Sequence, residues 1–153
     1  MITKQNVLDA QKEWANGIIK IGSCMDQRSL CEKEAEVLID RLYAFDLGTV
    51  LFKPTKAHHI QFRLDKKGAI SYFVGGNNEY PEDHGFAINP WIKIWFDNAG
   101  LILEKKRALA MGNYYFVDNK GVEIKVEYTF GYIQSNSEFL KIDLHHSSLP
   151  YQV

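Results

Sequence analysis

The side chains best suited to chemistry are five histidines in three places, His58 and His59, His84, and His145 and His146, with Ser147 and Ser148 directly after the last pair. A metal centre needs several such groups on one ion. Neighbours on a strand point to opposite faces, so neither pair readily ligates one ion. A site would need one histidine of each pair plus His84, and no HExxH-type spacing exists. A serine nucleophile needs a base placed by geometry. His146 beside Ser147 is not such a triad by spacing, and no GxSxG elbow is present. The remaining possibility is that "LKIDLHHSSLPY", from Leu140 to Tyr151, is only the polar end of a strand. Its hydroxyls would bond local backbone, and Pro150 would stop the ladder.

Face parity narrows the choice without closing it. On a regular strand Leu140, Ile142 and Leu144 share one side, expected to be the concave one. His146 and Ser148 then lie with them, placed to contact a substrate. His145 and Ser147 fall on the other side with Lys141 and Asp143. One β-bulge would exchange the two sets. Other polar groups could join them. Tyr72 shares a side with Ile70 and Val74 if "AISYFV" is a strand. Thr55 follows Pro54 at a strand end, and "MGNYYFV" supplies Asn113, Tyr114 and Tyr115.

Helices and a sheet must position these groups. Val7, Ala10, Trp14, Ile18 and Ile21 recur at helical spacing after the N-cap candidate Thr3. Gly22 and Ser23 can end that helix. A second helix is expected from Ser29, with Glu32 at capping-box spacing and a stripe of Cys31, Ala35, Leu38, Leu42 and Phe45. After Gly48 the pattern turns to strands: "TVLF", "AISYFVGG", "WIKIWF", a long strand from Leu101 to Val117, "VEIKVEYTFGYI" and "FLKIDLHH". Turns are expected at "DNAG", "DNKG" and "QSNSE". Val122, Ile124, Val126, Tyr128 and Phe130 alternate with Glu123, Lys125, Glu127 and Thr129, as in a sheet with one wet face.

Helices followed by an antiparallel sheet is an α+β plan. The 153 residues fit one domain, residues 1–153, able to bury roughly 70% of the unfolded chain's surface. The element order suits a strongly curved sheet wrapped on N-terminal helices, the cone of the nuclear transport factor 2-like (SnoaL-like) superfamily. That fold hosts many functions. A net charge of −1 gives no broad surface for nucleic acid, and Lys105, Lys106 and Arg107 are expected on a solvated strand face. The cysteines Cys24 and Cys31 form no CxxC pair, which excludes a zinc ribbon and a disulfide scaffold. The N-terminus lacks the apolar core of a signal peptide, and no run reaches membrane-spanning length. A cytoplasmic setting without membrane partners is expected.

Several runs together, "VLFKPTKA", "YFVGG", "EDHGFAINPW", "AMGNYYF", "VEYTFGY" and "LKIDLHHSSLPY", resemble the iota class of carbonic anhydrases. That class is similar in fold to the association domain of calcium/calmodulin-dependent protein kinase II. The resemblance covers about Thr49 to Tyr151, and the histidine–serine tract is its most specific part. It implies reversible hydration of carbon dioxide to bicarbonate, without a metal or other cofactor. It implies a pocket threonine at Thr55, a tyrosine at Tyr72, and a histidine and serine most simply at His145 and Ser147. That last placement conflicts with plain alternation and needs the bulge. Many relatives carry three histidines before the serines, where this chain has Leu144 first, which removes a possible ligand. Hydroxyls of Thr55, Tyr72 and Ser147 would stabilise charge growing on carbon dioxide, and a histidine would take the water's proton.

Two other readings follow from the same residues. One is a non-catalytic ligand-binding or oligomerisation domain of the same fold. Apolar residues on both parities, Trp91 and Trp95 against Ile92 and Ile94, point to a covered outer face and so to a homodimer. The other is a SnoaL-type hydrolase or isomerase, which needs Asp83 or His84 in the pocket.

Overall fold

In the computed structural model, which describes residues 1–136 and 139–153, the N-terminal stripe forms helix α1, Lys4–Ser23. Thr3 caps it as expected. Its hydroxyl accepts the Asn6 N–H at 3.2 Å, and Asn6 returns a bond to the Thr3 N–H at 2.9 Å. Helix α2, Arg28–Leu42, starts earlier than the Ser29–Glu32 pairing predicts, with Gln27 at the N-cap and no side-chain cap bond. Glu32 instead pairs with Arg28. Phe45 lies beyond the helix, in a 3-10 turn at Ala44–Asp46, stacked on Tyr43.

Strand β1 is short, Leu51–Lys53. "AISYFV" is not a strand: Lys66–Val74 is helix α3. Asp65 caps it by accepting the Gly68 N–H at 2.7 Å, and Gly75 closes it at φ +66°, where a Cβ is disfavoured. A short run apolar on both parities does not separate a buried strand from a buried helix, and the flanking cap residues decide it. The segment after α3 is fastened by a buried Arg63–Asp83 ion pair, and Asp83 also accepts the Ser71 hydroxyl at 2.6 Å.

The sheet continues with β2 (Trp91–Leu103), β3 (Arg107–Asp118), β4 (Glu123–Gln134) and β5 (Leu140–Ser148), ordered β1-β5-β4-β3-β2. It is antiparallel except where β1 runs parallel to β5. "DNAG" is no turn. The strand runs through it with a register slip between Asn98 and Gly100, and the hairpin bends at residues 104–106. Lys105 and Lys106 therefore sit on an exposed bend, and only Arg107 belongs to a strand. A second slip, between Trp91 and Lys93, leaves Trp91 and Ile94 buried and Ile92 exposed. The expected "QSNSE" turn includes Ser137 and Glu138, which lie outside the described residues.

One face of the sheet carries the helices. Trp14 of α1 lies against Phe96, Tyr114, Phe116 and Phe130 from three strands, with centroid separations of 5.6–6.1 Å. Among the described residues no helix is long and apolar enough to cross a membrane.

Candidate active site

The end of β5 presents its side chains through a bulge. Ile142 pairs with Tyr132 and Leu144 with Gly131, so Asp143 is an extra residue facing no partner of its own. Gly131 makes the slip possible, because a Cβ there would lie 2.8 Å from the Leu144 Cβ. Arg107 grips the Asp143 carboxylate with both terminal nitrogens, which raises the Arg107 pKa. Beyond the slip the parity is reversed. His145 and Ser147 point inward, 2% and 1% exposed. His146 is exposed and Ser148 half-buried on the outer side. The expectation that His146 and Ser148 line the pocket fails for that reason: alternation is broken two residues before the histidines.

His145 is the centre of a buried polar cluster. Its ring is stacked between Phe130 at 4.1 Å and Phe52 at 4.7 Å, with Trp14 edge-on at 5.7 Å. Nδ1 lies 2.8 Å from the Tyr43 hydroxyl, which accepts the Trp14 indole N–H at 3.0 Å. Nε2 lies 3.1 Å from Ser147 Oγ and 3.2 Å from the Tyr114 hydroxyl, and those two hydroxyls bond each other. Burial holds the His145 pKa well below the ordinary imidazole range, and the neighbouring His146 adds to this. The same desolvation holds Tyr43, Tyr72 and Tyr114 above the ordinary phenol range. The cluster is a set of neutral donors around a neutral imidazole.

Thr55 and Tyr72 reach the same place from other elements. The Thr55 side chain lies close enough to the Tyr72 and Tyr114 phenols to lower the pKa of both, against the larger effect of burial. The Tyr72 hydroxyl accepts the Lys56 N–H at 3.2 Å. Tyr72 faces inward, but from a turn of α3 and not by strand parity. Thr55, Tyr72, His145 and Ser147 are thus brought together. Tyr114, one of three polar candidates in "MGNYYFV", joins them.

Tyr43 and Trp14 were not legible as site residues. Tyr43 follows the α2 stripe and reads as core, and Trp14 reads as the middle of the α1 stripe. Only the fold sets their polar atoms against His145. His58 and His59 lie exposed on a loop, where their backbone N–H groups bind the Glu82 carboxylate. Asp83 is committed to Arg63, and His84 is exposed. Among the described residues, no three His, Cys, Asp or Glu side chains gather as a metal site requires.

Tyr72 also walls a hollow of about 460 Å³, lined by Lys56, His84, Phe86, Asn89 and Trp91 among others. Tyr72, Phe86 and Trp91 give it aromatic walls, and Lys56, Glu82, Asp83, His84 and Asn89 its polar lining. A larger hollow of about 720 Å³ between α2 and α3, lined by Arg28, Glu32, Glu36 and Lys66, includes no residue of the cluster.

Comparisons with known proteins agree with this architecture. The family model described as metal-independent carbonic anhydrase matches residues 5–149. A metal-independent carbonic anhydrase of Nostoc sp. (strain PCC 7120) is 38% identical over 99% of this chain and 75% of its own. The crystal structure of a cyanobacterial iota-carbonic anhydrase complexed with bicarbonate superposes with a TM-score of 0.96 at 37% identity, covering 99% of this chain and 94% of that one. A nuclear transport factor 2-like protein from Streptomyces avermitilis shares only the fold, with a TM-score of 0.55 at 13% identity over 97% and 96% of the two chains. With the family model spanning nearly all of its elements, the chain belongs to the metal-independent carbonic anhydrase family.

Proposed function

We propose that this protein reversibly hydrates carbon dioxide to bicarbonate without a metal, with Thr55, Tyr72, His145 and Ser147 as the groups that act on the substrate. The observation that carries the reading is the convergence of these neutral hydroxyl and imidazole groups, from three separate segments, in one aromatic-walled interior. The bicarbonate held by the iota-class relative supports the choice of substrate.

Carbon dioxide is small, linear and neutral, so an interior walled by aromatic rings admits it at little desolvation cost. As water attacks carbon, negative charge grows on the carbon dioxide oxygens. The hydroxyls of Ser147, Thr55 and Tyr72 are placed to donate to it, and fixed donors in a low-dielectric site stabilise such charge strongly. The product is bicarbonate, and the proton lost by the water passes to solvent. The donor set cannot make hydroxide as bound zinc does, by bringing water's pKa from 15.7 to about 7. A modest turnover limited by water activation follows. Stopped-flow measurement of proton release by chelator-treated protein tests the whole reading. We expect a rate above buffer alone, and a rate equal to buffer ends the proposal.

A homodimer in the cytoplasm is part of the same reading. The outer face of β2 and β3 exposes Ile102 and Met111 beside a stacked Trp95–Tyr115 pair, which supports cover by a second copy. The thiols of Cys24 and Cys31 are unpaired, as a reducing compartment allows. Light scattering is expected to give twice the chain mass, and a monomer mass would remove the dimer. Fractionation is expected to find the protein with cytoplasmic markers, and its recovery in another compartment would remove that placement.

A further inference from the structure

We propose that Trp14 and Tyr43 are positioning residues that hold His145 as the neutral tautomer protonated at Nε2, and that this leaves the Tyr114–Ser147 pair with one hydroxyl hydrogen free to donate to substrate. The proposal deepens the hydration reading and rests on it for its catalytic meaning.

The argument is a count of hydrogens. An indole N–H can only donate, so Trp14 fixes the Tyr43 oxygen as an acceptor at 3.0 Å. The hydrogen of Tyr43 is then available to His145 Nδ1, 2.8 Å away. A protonated Nδ1 would either meet the Tyr43 hydrogen or leave that hydrogen without an acceptor beside a ring only 2% exposed, so Nδ1 is the bare nitrogen. The neutral ring carries its hydrogen on Nε2, which faces Ser147 Oγ at 3.1 Å and the Tyr114 hydroxyl at 3.2 Å.

This direction is opposite to that of a serine–histidine nucleophile, where Nε2 accepts the hydroxyl hydrogen. Here His145 donates into the hydroxyl pair. Tyr114 and Ser147 own two hydrogens, and their mutual bond uses one. The second remains for Thr55 or for a substrate oxygen. Tyr72 is biased the same way, because its oxygen accepts the Lys56 N–H and its own hydrogen is left to donate. Both ends of the cluster therefore offer hydrogens, as an incipient bicarbonate anion requires.

The titratable groups facing His145 are the Tyr43 phenol from the segment after α2, the Tyr114 phenol from β3, and His146 along its own strand. Among the described residues no carboxylate faces it. Burial favours the neutral ring.

Long-range proton–nitrogen NMR on protein labelled with ¹⁵N-histidine tests the assignment, with the His145 signals identified by their loss in His145→Gln. We expect a neutral ring with Nε2 protonated and Nδ1 bare, unchanged across the range where free imidazole titrates. A protonated Nδ1, or a ring that titrates in that range, overturns the proposal in the unaltered protein. In Tyr43→Phe the fixed tautomer is expected to be lost, and kcat to fall about tenfold, less than the loss for a direct donor. A Tyr43→Phe protein with the same tautomer and the same kcat also overturns it. The Nε2-protonated ring in a protein that never hydrates carbon dioxide upholds the tautomer and overturns the functional reading.

Discussion

A buried histidine among hydroxyls invites the reading of a general base, but at His145 burial, tautomer and neighbours oppose it. A ring with both nitrogens engaged, and with no carboxylate partner among the described residues, is a poor proton acceptor and a good orienting donor. On the proposed mechanism the hydroxyls are the groups on which turnover depends. Ser147→Ala and Tyr72→Phe are each expected to lower kcat about a hundredfold while the far-ultraviolet spectrum stays unchanged. Full activity in either variant would return these residues to the core. The same burial links folding to pH. The unfolded chain binds a proton at this histidine near pH 6.5, while the folded chain resists it until well below. In that interval the unfolded state holds more protons, so stability rises with pH and is fully present only above about 6.5. Below it, His145 should cost up to about 1.4 kcal/mol of stability per pH unit. Melting temperatures measured against pH should show this slope in the native protein and a weaker one in His145→Gln. Equal slopes would contradict the assignment.

At the scale of elements, β5 decides which histidine faces inward. Its slip opposite Gly131 leaves Asp143 unpaired and reverses the parity before His145. Deleting Asp143 would give a regular ladder in which Ile142 and His145 still share a face, so measurable hydration activity is expected to survive. Inserting one alanine between Leu144 and His145 would turn His145 and Ser147 outward. That variant is expected to run at the rate of buffer. An active insertion variant, or a folded but inactive deletion variant, would show that the slip is not what aims the site. Helix α3 has a comparable anchor. The Arg63–Asp83 pair and its bond to Ser71 hold the helix beside the residue that follows, Tyr72.

At the scale of the whole molecule, the outer sheet face and the cluster are separate. The Trp95–Tyr115 stack lies on the opposite side of the sheet from the inward-facing Tyr114. Met111→Lys combined with Ile102→Glu is therefore expected to halve the mass seen by light scattering and to leave kcat per chain within about twofold. Such charges oppose burial of that face, whereas exposed substitutions usually move stability by about 0.5 kcal/mol or less. A monomer with no activity would tie the site to the assembly.

The amino-acid sequence determined what depends on local order: two amphipathic helices, the Thr3 cap, alternation in β4, and the tract in which the site histidine and serine lie. The family resemblance, carried by "KPT", "ISYF" and "HHSSLP", named Thr55 and Tyr72 from the same letters. Tertiary structure alone decided the rest. Caps and burial made "AISYFV" a helix, because an apolar run of that length satisfies both periods. The slip at Gly131 chose His145 over His146, because a bulge is a property of two paired strands and leaves no mark on one of them. Tyr43 and Trp14 entered the site only when α1, the segment after α2 and β5 met, since a hydrogen bond between residues 102 apart has no signature in local spacing.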